Sequence, residues 1–371
     1  MGKHRQIALL PGDGIGPEIM QATLPIIFKA AELTGDDITA TPGLIGWAAY
    51  DKYHDTMPET TWKLCVEVDA ILFGAVGLPG RDKEVAAEMR PERRALLPLR
   101  KHFQLGCNIR PVVVMPELAE LSPLKDHLLK DGVNLTFFRE LVGGDYFGER
   151  REDPDGQWAE DVCRYERQTI VSIARMAFDF AKKTGQPVTS IDKANVLGAT
   201  GTFWRSIVQE VHDTEYPEVV LDHVYVDAFN MYLFIKPSRY SVILTSNAHG
   251  DILSDGAAGL AGSLGLLPSA SINSNTSFGL YEPGGGSAPD IAGKGIANPI
   301  AMILSAAMMF RHSFGNDAAA EMIEEAVRET LRYGFRTKDL LPEGSSQEPV
   351  STTTMANAVL DRLKMPVPQV A

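Results

Sequence analysis

Apolar runs of strand length alternate along this chain with longer segments whose apolar residues recur at helical spacing. Continuous aliphatic runs predict strands that are buried on both faces, whereas amphipathic periodicity predicts helices that cover them. The predicted strands are residues 6–10, 69–74, 134–141, 188–193 and 240–244. The predicted helices are residues 17–35, 167–183, 202–214, 299–314, 317–333 and 353–363. This alternation indicates an α/β fold.

Local signals mark several element boundaries. A glycine-rich turn at residues 12–16 precedes Pro17, a residue that suits the first turn of a helix. Pro25 predicts a kink in that helix, and Thr202 is expected to cap a later one. The turn does not complete the Rossmann fingerprint, because proline occupies position 17, where the third glycine is required.

Length, charge and cysteine usage narrow the class of protein. A chain of 371 residues is long enough for two domains. The net charge of -13, with no basic stripe, argues against a nucleic-acid partner. No apolar run reaches the roughly 18 residues of a membrane span. Cys65, Cys107 and Cys163 lack metal-site spacing, which favours a reducing compartment. We therefore expect a cytoplasmic protein that binds neither nucleic acid nor membrane.

The segment 245–255 carries candidate metal chemistry. It follows an apolar run that ends at Leu244, and we expect a helix to follow the break at Gly250. Asp251 and Asp255 stand four residues apart, so a helix would place both carboxylates on one face. Like charges at that spacing are destabilising without a cation, and Mg²⁺ prefers carboxylate oxygen. A solvated acidic helix start explains the pair equally well from these residues alone.

A glycine-rich loop at residues 282–299 and a basic cluster at residues 90–101 are candidate ligand sites. Glycines let a backbone approach a ligand closely, and Asp290 is suited to accept hydrogen bonds from a ribose diol. A flexible surface loop is the alternative for residues 282–299. The basic cluster is too local for a polyanion, but it suits a small dianionic substrate.

Four motifs together resemble one family. They are LPGDGIGPE at residues 10–18, SIDKANV at 190–196, GDILSD at 250–255 and GSAPD at 286–290. In this order they resemble the β-decarboxylating dehydrogenases of the isocitrate/isopropylmalate dehydrogenase family, over about residues 6–363. The resemblance implies a two-domain fold with a large mixed sheet flanked by helices, which is not a Rossmann fold. It also implies a discontinuous cofactor-side domain (1–107 and 257–371) and a central domain (108–256).

Within the family, the segment 92–101 is most similar to the isopropylmalate enzymes, in which the matching leucines enclose an isopropyl group. Isocitrate enzymes place polar residues there. Composition alone would make Leu96 and Leu97 ordinary core residues. Three arginines can hold two carboxylates in bidentate pairs, which lysines do less well. The substrate-binding residues that the resemblance implies are Leu96, Leu97, Arg100, Arg110, Arg139 and Asp227.

The resemblance also assigns the catalytic and metal-binding roles. Asp227, Asp251 and Asp255 are expected to hold Mg²⁺ or Mn²⁺. Lys193 is expected to accept the proton of the substrate hydroxyl, and Tyr146 to return a proton to carbon. An amphipathic core tyrosine is the alternative for Tyr146.

The cofactor expected from the resemblance is NAD, since a carboxylate at Asp290 would repel a 2′-phosphate. The resemblance further implies a homodimer with shared active sites, to which Lys193, Asp227 and Asn195 come from the partner subunit. The expected cofactor-binding residues are Ile15, Asn195, Gly286, Ser287, Ala288, Pro289, Asp290 and Asn298.

The implied activity is NAD-dependent oxidative decarboxylation of (2R,3S)-3-isopropylmalate, a dicarboxylate 2-hydroxy acid, to 2-oxo-4-methylpentanoate in leucine synthesis. Ala248, His249, Gly256 and Gly285 depart from residues common in the isopropylmalate enzymes. Two alternatives stay open: the same chemistry on D-malate, tartrate or another 3-alkylmalate, and a catalytically silent regulatory subunit. Retention of the predicted catalytic residues argues against the silent subunit.

Overall fold

The computed structural model describes residues 3–364, which form two compact units. The first unit comprises residues 3–103, 262–270 and 277–364, and the second comprises residues 104–261 and 271–276. The first unit is therefore discontinuous in sequence, and the second is formed almost entirely by one internal stretch of the chain.

Strands and helices alternate through residues 3–364. The strands are β1 (His4–Gly12), β2 (Asp37–Pro42), β3 (Ala70–Ala75), β4 (Cys107–Val113), β5 (Asn134–Glu140), β6 (Arg150–Glu152), β7 (Ala159–Asp161), β8 (Val188–Asp192), β9 (Leu221–Tyr225), β10 (Val242–Thr245), β11 (Pro268–Ile272) and β12 (Gly279–Pro283). The helices are α1 (Gly16–Thr34), α2 (Trp47–Tyr53), α3 (Glu59–Glu67), α4 (Leu97–His102), α5 (Asp126–Leu129), α6 (Arg167–Thr184), α7 (Thr200–Glu215), α8 (Val226–Ile235), α9 (Asn247–Ala258), α10 (Ile300–His312), α11 (Asp317–Arg332) and α12 (Thr352–Leu360).

The first unit is built on strands β2, β1, β3 and β12, in that spatial order. Each of these strands is parallel to its neighbour, and every residue of β3 is buried. Helices α1, α10, α11 and α12 pack together in this unit. Strand β1 ends at Gly12, so the turn at residues 12–16 lies at the carboxyl edge, where α/β proteins bind ligands.

The second unit orders its strands β4, β5, β10, β8 and β9. Strand β4 is antiparallel to β5, and the other pairs are parallel, so the sheet is mixed. Thr245 at the end of β10 pairs with Arg139 in β5 and with Ile191 in β8. The carboxyl ends of these three parallel strands therefore reach the same edge, which positions the residues that follow them. Strands β6 and β7 form a separate antiparallel pair.

The predicted strands and helices are confirmed with shifts of a few residues at their ends, and two local predictions were wrong. Thr202 lies inside α7, which begins at Thr200, and its hydroxyl donates back to the carbonyls of Gly198 and Ala199. Helix α9 begins at Asn247, before Gly250 rather than after it. Helix α1 continues through Pro25 as one element. Over residues 3–364, no helix is both long and apolar enough to cross a membrane.

Candidate active site

Helix α9 presents two carboxylates to two arginines within the second unit. Asp251 accepts a hydrogen bond at 2.5 Å from Nη1 of Arg139. Asp255, one turn later, accepts one at 2.7 Å from Nη1 of Arg110. The repulsion expected between the two aspartates is therefore offset by two guanidiniums, in charge-assisted hydrogen bonds. Burial raises the pKa of the Asp255 carboxyl, and the charge of Arg110 opposes that rise.

The two arginines come from neighbouring antiparallel strands. Arg110 lies in β4 and Arg139 in β5, and both side chains are buried. Nε of Arg110 donates to Asn108 Oδ1 at 2.8 Å, and its Nη1 donates to Ser254 Oγ at 2.9 Å. These bonds fix a guanidinium whose burial would otherwise be costly. The arrangement holds two guanidiniums against Asp251 and Asp255, and a guanidinium fixed in this way is suited to pair with a substrate carboxylate.

Tyr146 lies directly against this cluster. Its hydroxyl donates to Asp251 Oδ2 at 2.9 Å, and the guanidinium of Arg139 lies 5.7 Å from the ring centre. Burial, followed by the negative charge of Asp251, raises the pKa of the phenol. The phenol therefore keeps its proton at neutral pH, as a group that donates a proton requires. A hydroxyl bonded to Asp251 also satisfies the amphipathic position considered as the alternative for Tyr146, so the proton-donor role stays a proposal.

Lys193 and Asp227 form a second pair in the same unit. Nζ of Lys193 donates to Asp227 Oδ1 at 2.5 Å, and this bond lowers the pKa of the aspartate. Lys193 follows the buried Asp192, which ends β8 and is held by the guanidinium of Arg205. Asn195 is exposed on the loop after Lys193.

The three predicted metal ligands do not meet within one chain. Across residues 3–364, no group of three or more His, Cys, Asp or Glu side chains is placed to hold a metal ion. Asp251 and Asp255 share the arginine cluster, whereas Asp227 pairs with Lys193. The side chain of Asp255 is 54% exposed and that of Asp251 32%, so their oxygens stay accessible to a ligand. Two accessible carboxylates on one helical face fit a hard divalent cation that takes further oxygen ligands from elsewhere.

The predicted pocket leucines lie in the first unit. A π-helical turn spans Glu92–Leu96, and α4 begins at Leu97, so both leucines sit at a helix junction. Leu96 and Leu97 are half-buried, whereas Leu99 is fully buried in the core. The buried Arg100 donates from Nη2 to Glu282 Oε1 at 3.1 Å. The two leucines therefore keep apolar surface available, as a pocket requires.

A cavity of about 530 Å³ lies against the glycine-rich loop of the first unit. Its lining includes Ile15, Gly286, Ala288 and Asn298. The backbone N–H of Ile15 donates to the Ser287 carbonyl at 2.8 Å, which ties the 12–16 turn to this loop. The size and mixed lining suit a small organic cofactor, so the residues present fit a dinucleotide.

A further hydrogen bond holds the same glycine-rich loop in place. Ser287 is buried and donates to the Gly77 carbonyl at 2.5 Å. Pro289 and Asp290 are exposed, between the lining residues Ala288 and Ile291. The loop predicted from its glycines therefore forms part of the cavity wall.

Two supporting residues escaped the sequence analysis. Glu282, the partner of Arg100, opens the glycine-rich segment, and no local pattern there indicates its bond to a distant arginine. Asn247 contacts Arg139 and lies four residues before Asp251, one helical turn earlier. That spacing was a usable signal, because residues four apart share a helical face. The other contacts of the arginine cluster depend on the register of β4 against β5, which the sequence alone does not give.

A buried arginine–carboxylate cluster at the carboxyl edge of a sheet is the kind of site with which α/β enzymes bind small anions. Residues 6–359 match the family model described as isocitrate/isopropylmalate dehydrogenase, and the chain belongs to that family. The family predicted from the four motifs and the predicted fold class are confirmed.

Full-length relatives agree with the family match. The chain is 48% identical to the 3-isopropylmalate dehydrogenase of Pseudoalteromonas translucida, over 96% of this chain and 98% of the relative. It is 47% identical to the 3-isopropylmalate dehydrogenase of Thermotoga maritima, over 97% and 99%. The crystal structure of isocitrate dehydrogenase from Methylococcus capsulatus superposes with a TM-score of 0.84 at 35% identity, covering 97% of this chain and 99% of that one.

Proposed function

We propose that this chain catalyses the NAD-dependent oxidative decarboxylation of (2R,3S)-3-isopropylmalate to 2-oxo-4-methylpentanoate, CO₂ and NADH, a step of leucine synthesis. The observation that carries the proposal is the cluster of Arg110, Arg139, Tyr146, Asp251 and Asp255, which brings two guanidiniums, a phenol and two carboxylates into hydrogen-bonding contact. Near-complete coverage of relatives named 3-isopropylmalate dehydrogenase supports the choice of substrate.

The substrate carboxylates bind to Arg100, Arg110 and Arg139 in this proposal. A divalent cation, Mg²⁺ or Mn²⁺, held by Asp251, Asp255 and Asp227, would supply Lewis acidity at the hydroxyl oxygen. Arg139 and Arg110, which pair with Asp251 and Asp255, would turn N–H donors to the substrate when it binds. The fixed guanidinium planes orient the substrate, which lowers the entropic cost of reaching the transition state.

Two side chains of the protein move the protons. Lys193 accepts the hydroxyl proton of the substrate, and bound NAD would supply the acceptor for the hydride from C2. The carboxylate on C3 then leaves as CO₂, and the electron pair of the broken bond becomes the enolate. Tyr146 donates its proton to C3 of that enolate, and its raised pKa keeps the proton available until that step. Overall Lys193 takes up one proton, Tyr146 gives one up and CO₂ leaves, while the hydride from C2 would be taken up by bound NAD.

The cofactor in this proposal is NAD, bound in the cavity of the first unit. Ile15, Gly286, Ser287, Ala288, Pro289 and Asn298 form or flank its wall. The exposed carboxylate of Asp290 would accept from the ribose hydroxyls and repel a 2′-phosphate. We assign the cofactor-side domain to the first unit and the central domain to the second.

A homodimer completes the site in this proposal. Lys193, Asn195 and Asp227 belong to the exposed side of the second unit and would reach the arginine cluster of a second copy. Exposed apolar side chains on the contacting helices α8 and α9 support an interface there: Met231, Phe234, Ile235 and Ile252. Apolar patches of this kind are typical of association surfaces.

The proposal also places the protein in a reducing cellular compartment. Cys65 and Cys107 are free and buried, and Cys163 is free and exposed. Free thiols persist in reducing compartments, so we place the protein in the cytoplasm.

One assay panel tests the proposed reaction. Purified protein with Mg²⁺ or Mn²⁺ is offered isopropylmalate, D-malate, tartrate or isocitrate, with NAD and with NADP. We expect the highest kcat/KM with isopropylmalate and NAD. Higher kcat/KM with D-malate or tartrate would favour the alternative substrates, and isocitrate is included because a structural relative bears that name. Absence of turnover with all four would favour the silent subunit.

A further inference from the structure

One fully buried amide connects three parts of the second unit. Asn247 is the first residue of α9 and has no exposed surface. Its Oδ1 accepts hydrogen bonds from Nε and Nη2 of Arg139 at 3.1 and 2.8 Å. Its Nδ2 donates to the carbonyl of Gly143 at 2.9 Å, and its backbone N–H donates to the Tyr165 hydroxyl at 3.1 Å. A single side chain therefore bonds both to a proposed substrate-binding arginine and to the loop ahead of Tyr146.

The contacts of Asn247 determine how the guanidinium of Arg139 is oriented. Nε of Arg139 also donates to the Asn247 backbone carbonyl at 3.0 Å, while Nη1 points to Asp251. Donors on two edges of the planar group are thus directed to acceptors on the first two turns of α9. A planar group held at two edges cannot rotate about its long axis, so the directions of all its N–H donors are set.

The other half of the amide holds the loop that carries Tyr146. Gly143 lies three residues before Tyr146, and Gly144 between them has φ +78°, a conformation that favours glycine. The Gly144 N–H donates to the Arg164 carbonyl at 2.7 Å. A Cβ on Gly144 would lie 3.4 Å from the Cβ of Asn247, so the loop backbone is packed directly on this asparagine.

Both the oxygen and the nitrogen of the Asn247 amide form hydrogen bonds, the oxygen with Arg139 and the nitrogen with the Gly143 carbonyl. Removal of the oxygen would leave a buried guanidinium short of an acceptor, and removal of the nitrogen would leave a buried carbonyl short of a donor. Unsatisfied buried groups relax toward other partners, and the side chains they had fixed move with them. Displacements of about 1 Å at a reacting group lower rates by about a hundredfold.

We propose that Asn247 is a positioning residue that aligns Arg139 for substrate binding and Tyr146 for proton donation. The inference rests on the proposed roles of Arg139 and Tyr146. It assigns the two roles to different atoms: the Oδ1 half of the amide controls substrate affinity, and the Nδ2 half controls turnover.

Two substitutions separate the halves. Asn247→Ala removes both, whereas Asn247→Asp keeps acceptors for Arg139 and replaces the donor to Gly143 with an acceptor. For Asn247→Ala we expect the Kd of isopropylmalate, measured by calorimetry with Mg²⁺, to rise about tenfold or more and kcat to fall by at least a similar factor. For Asn247→Asp we expect Kd within about threefold of wild type but the same fall in kcat.

Hydrogen exchange of the intact protein gives a readout that does not depend on activity. Both variants should exchange amides of residues 142–147 faster than wild type, because the loop loses its bond from Asn247. Asn316→Ala is the matched control: this asparagine caps α11 in the first unit, accepting from the Ala319 N–H at 3.0 Å. The control should lower the melting temperature yet leave Kd, kcat and exchange of residues 142–147 unchanged.

The outcomes separate this inference from the proposed function. Unchanged exchange of residues 142–147 in both variants would overturn the inference, as would equal Kd values for Asn247→Asp and Asn247→Ala. If wild type fails to oxidise isopropylmalate, the proposed function fails, and kinetics are taken with whichever substrate of the panel is turned over. If none is turned over, the exchange comparison decides the role of Asn247 in holding the loop.

Discussion

Two cation–carboxylate pairs in the second unit have the same separation but opposite surroundings. Arg139 Nη1 and Asp251 Oδ1 are 2.5 Å apart, and the arginine side chain is 2% exposed. Lys193 Nζ and Asp227 Oδ1 are also 2.5 Å apart, yet their side chains are 25% and 67% exposed. The equal distances therefore say little about energy, since solvent screens the second pair more strongly than the first, in which only the aspartate, at 32%, is partly exposed.

The difference separates the part of the proposed site that is fixed within one chain from the part that is exposed. Arg139 is fixed by Asn247 as well as by Asp251, and Tyr146 bonds to the same aspartate. Lys193 bonds to Asp227 on an exposed side of the unit that also presents Asn195. The buried pair is held in place within one chain, whereas the exposed pair is the one that the proposed dimer would share with a second copy.

Lys193→Met should lower kcat by about 10²–10⁴, because the proton acceptor is lost. The melting temperature should stay within experimental error of wild type, since an exposed ion pair contributes little to stability. Steady-state kinetics and calorimetry measure the two quantities. Lys182→Met is the control. Lys182 forms an ion pair with Glu218 at 2.6 Å that is also exposed, and its loss should change neither kcat nor the melting temperature. A Lys193→Met variant with more than about a tenth of wild-type kcat would remove Lys193 from catalysis.

Gly250→Ala should disturb the buried pair. A Cβ at Gly250 would lie 2.6 Å from Cγ of Arg139, so the arginine must move. We expect a loss of about 1–3 kcal/mol of stability and a rise in the KM for isopropylmalate. Nothing lies within 4 Å of a Cβ at Gly256 on the same helix, so Gly256→Ala should be neutral or stabilising. Equal effects of the two substitutions on KM would mean that Arg139 is not fixed by this packing.

Trimming Leu96 and Leu97 to Ala should lower discrimination between isopropylmalate and D-malate by about tenfold or more. Malate has no alkyl branch, so its kcat/KM should barely change. Leu99→Ala is the control, because Leu99 is fully buried and its loss should reduce the melting temperature and affect both substrates alike. Parallel losses for both substrates in the double variant would oppose the isopropyl pocket.

Glu140→Gln should alter the pH dependence of stability. Burial raises the pKa of Glu140 from its ordinary 4.5 to about 7. The folded state thus binds the proton more tightly than the unfolded state, so this group costs stability as pH rises from about 4.5 to about 7. The glutamine side chain does not titrate, so it does not lose stability in this way. The free energy of unfolding of the variant, relative to that of wild type, should therefore rise by about 1–3 kcal/mol from pH 5 to pH 8. Urea denaturation of both proteins at the two pH values measures this difference. An equal difference at both pH values would contradict the raised pKa of Glu140.

The elements and the acidic helix were predictable from local signals, because period and spacing are properties of the chain alone. Asp251 and Asp255 were singled out by their four-residue spacing, and the structure places both on the arginine cluster. The resemblance supplied Arg110 and Arg139, which no local pattern distinguishes from ordinary surface arginines.

Contacts between distant segments were not predictable in the same way. Asn247 meets Gly143 across 104 positions, and Arg100 meets Glu282 across 182. Such pairs depend on strand order and register, which the apolar pattern does not encode. The cap assigned to Thr202 was wrong for a local reason, since the helix starts two residues earlier and the hydroxyl bonds back to the preceding turn.

Mixed dimers test most directly the claim that each site takes Lys193 from one copy and Tyr146 from the other. Lys193→Met and Tyr146→Phe proteins, each nearly inactive alone, are denatured together, refolded and assayed. If the residues act across the interface, a two-fold dimer with one chain of each kind regains one intact site. An equal mixture then recovers about a quarter of wild-type activity. A mixture no more active than its separate components would show that both residues serve the same chain, and the shared-site account would be wrong.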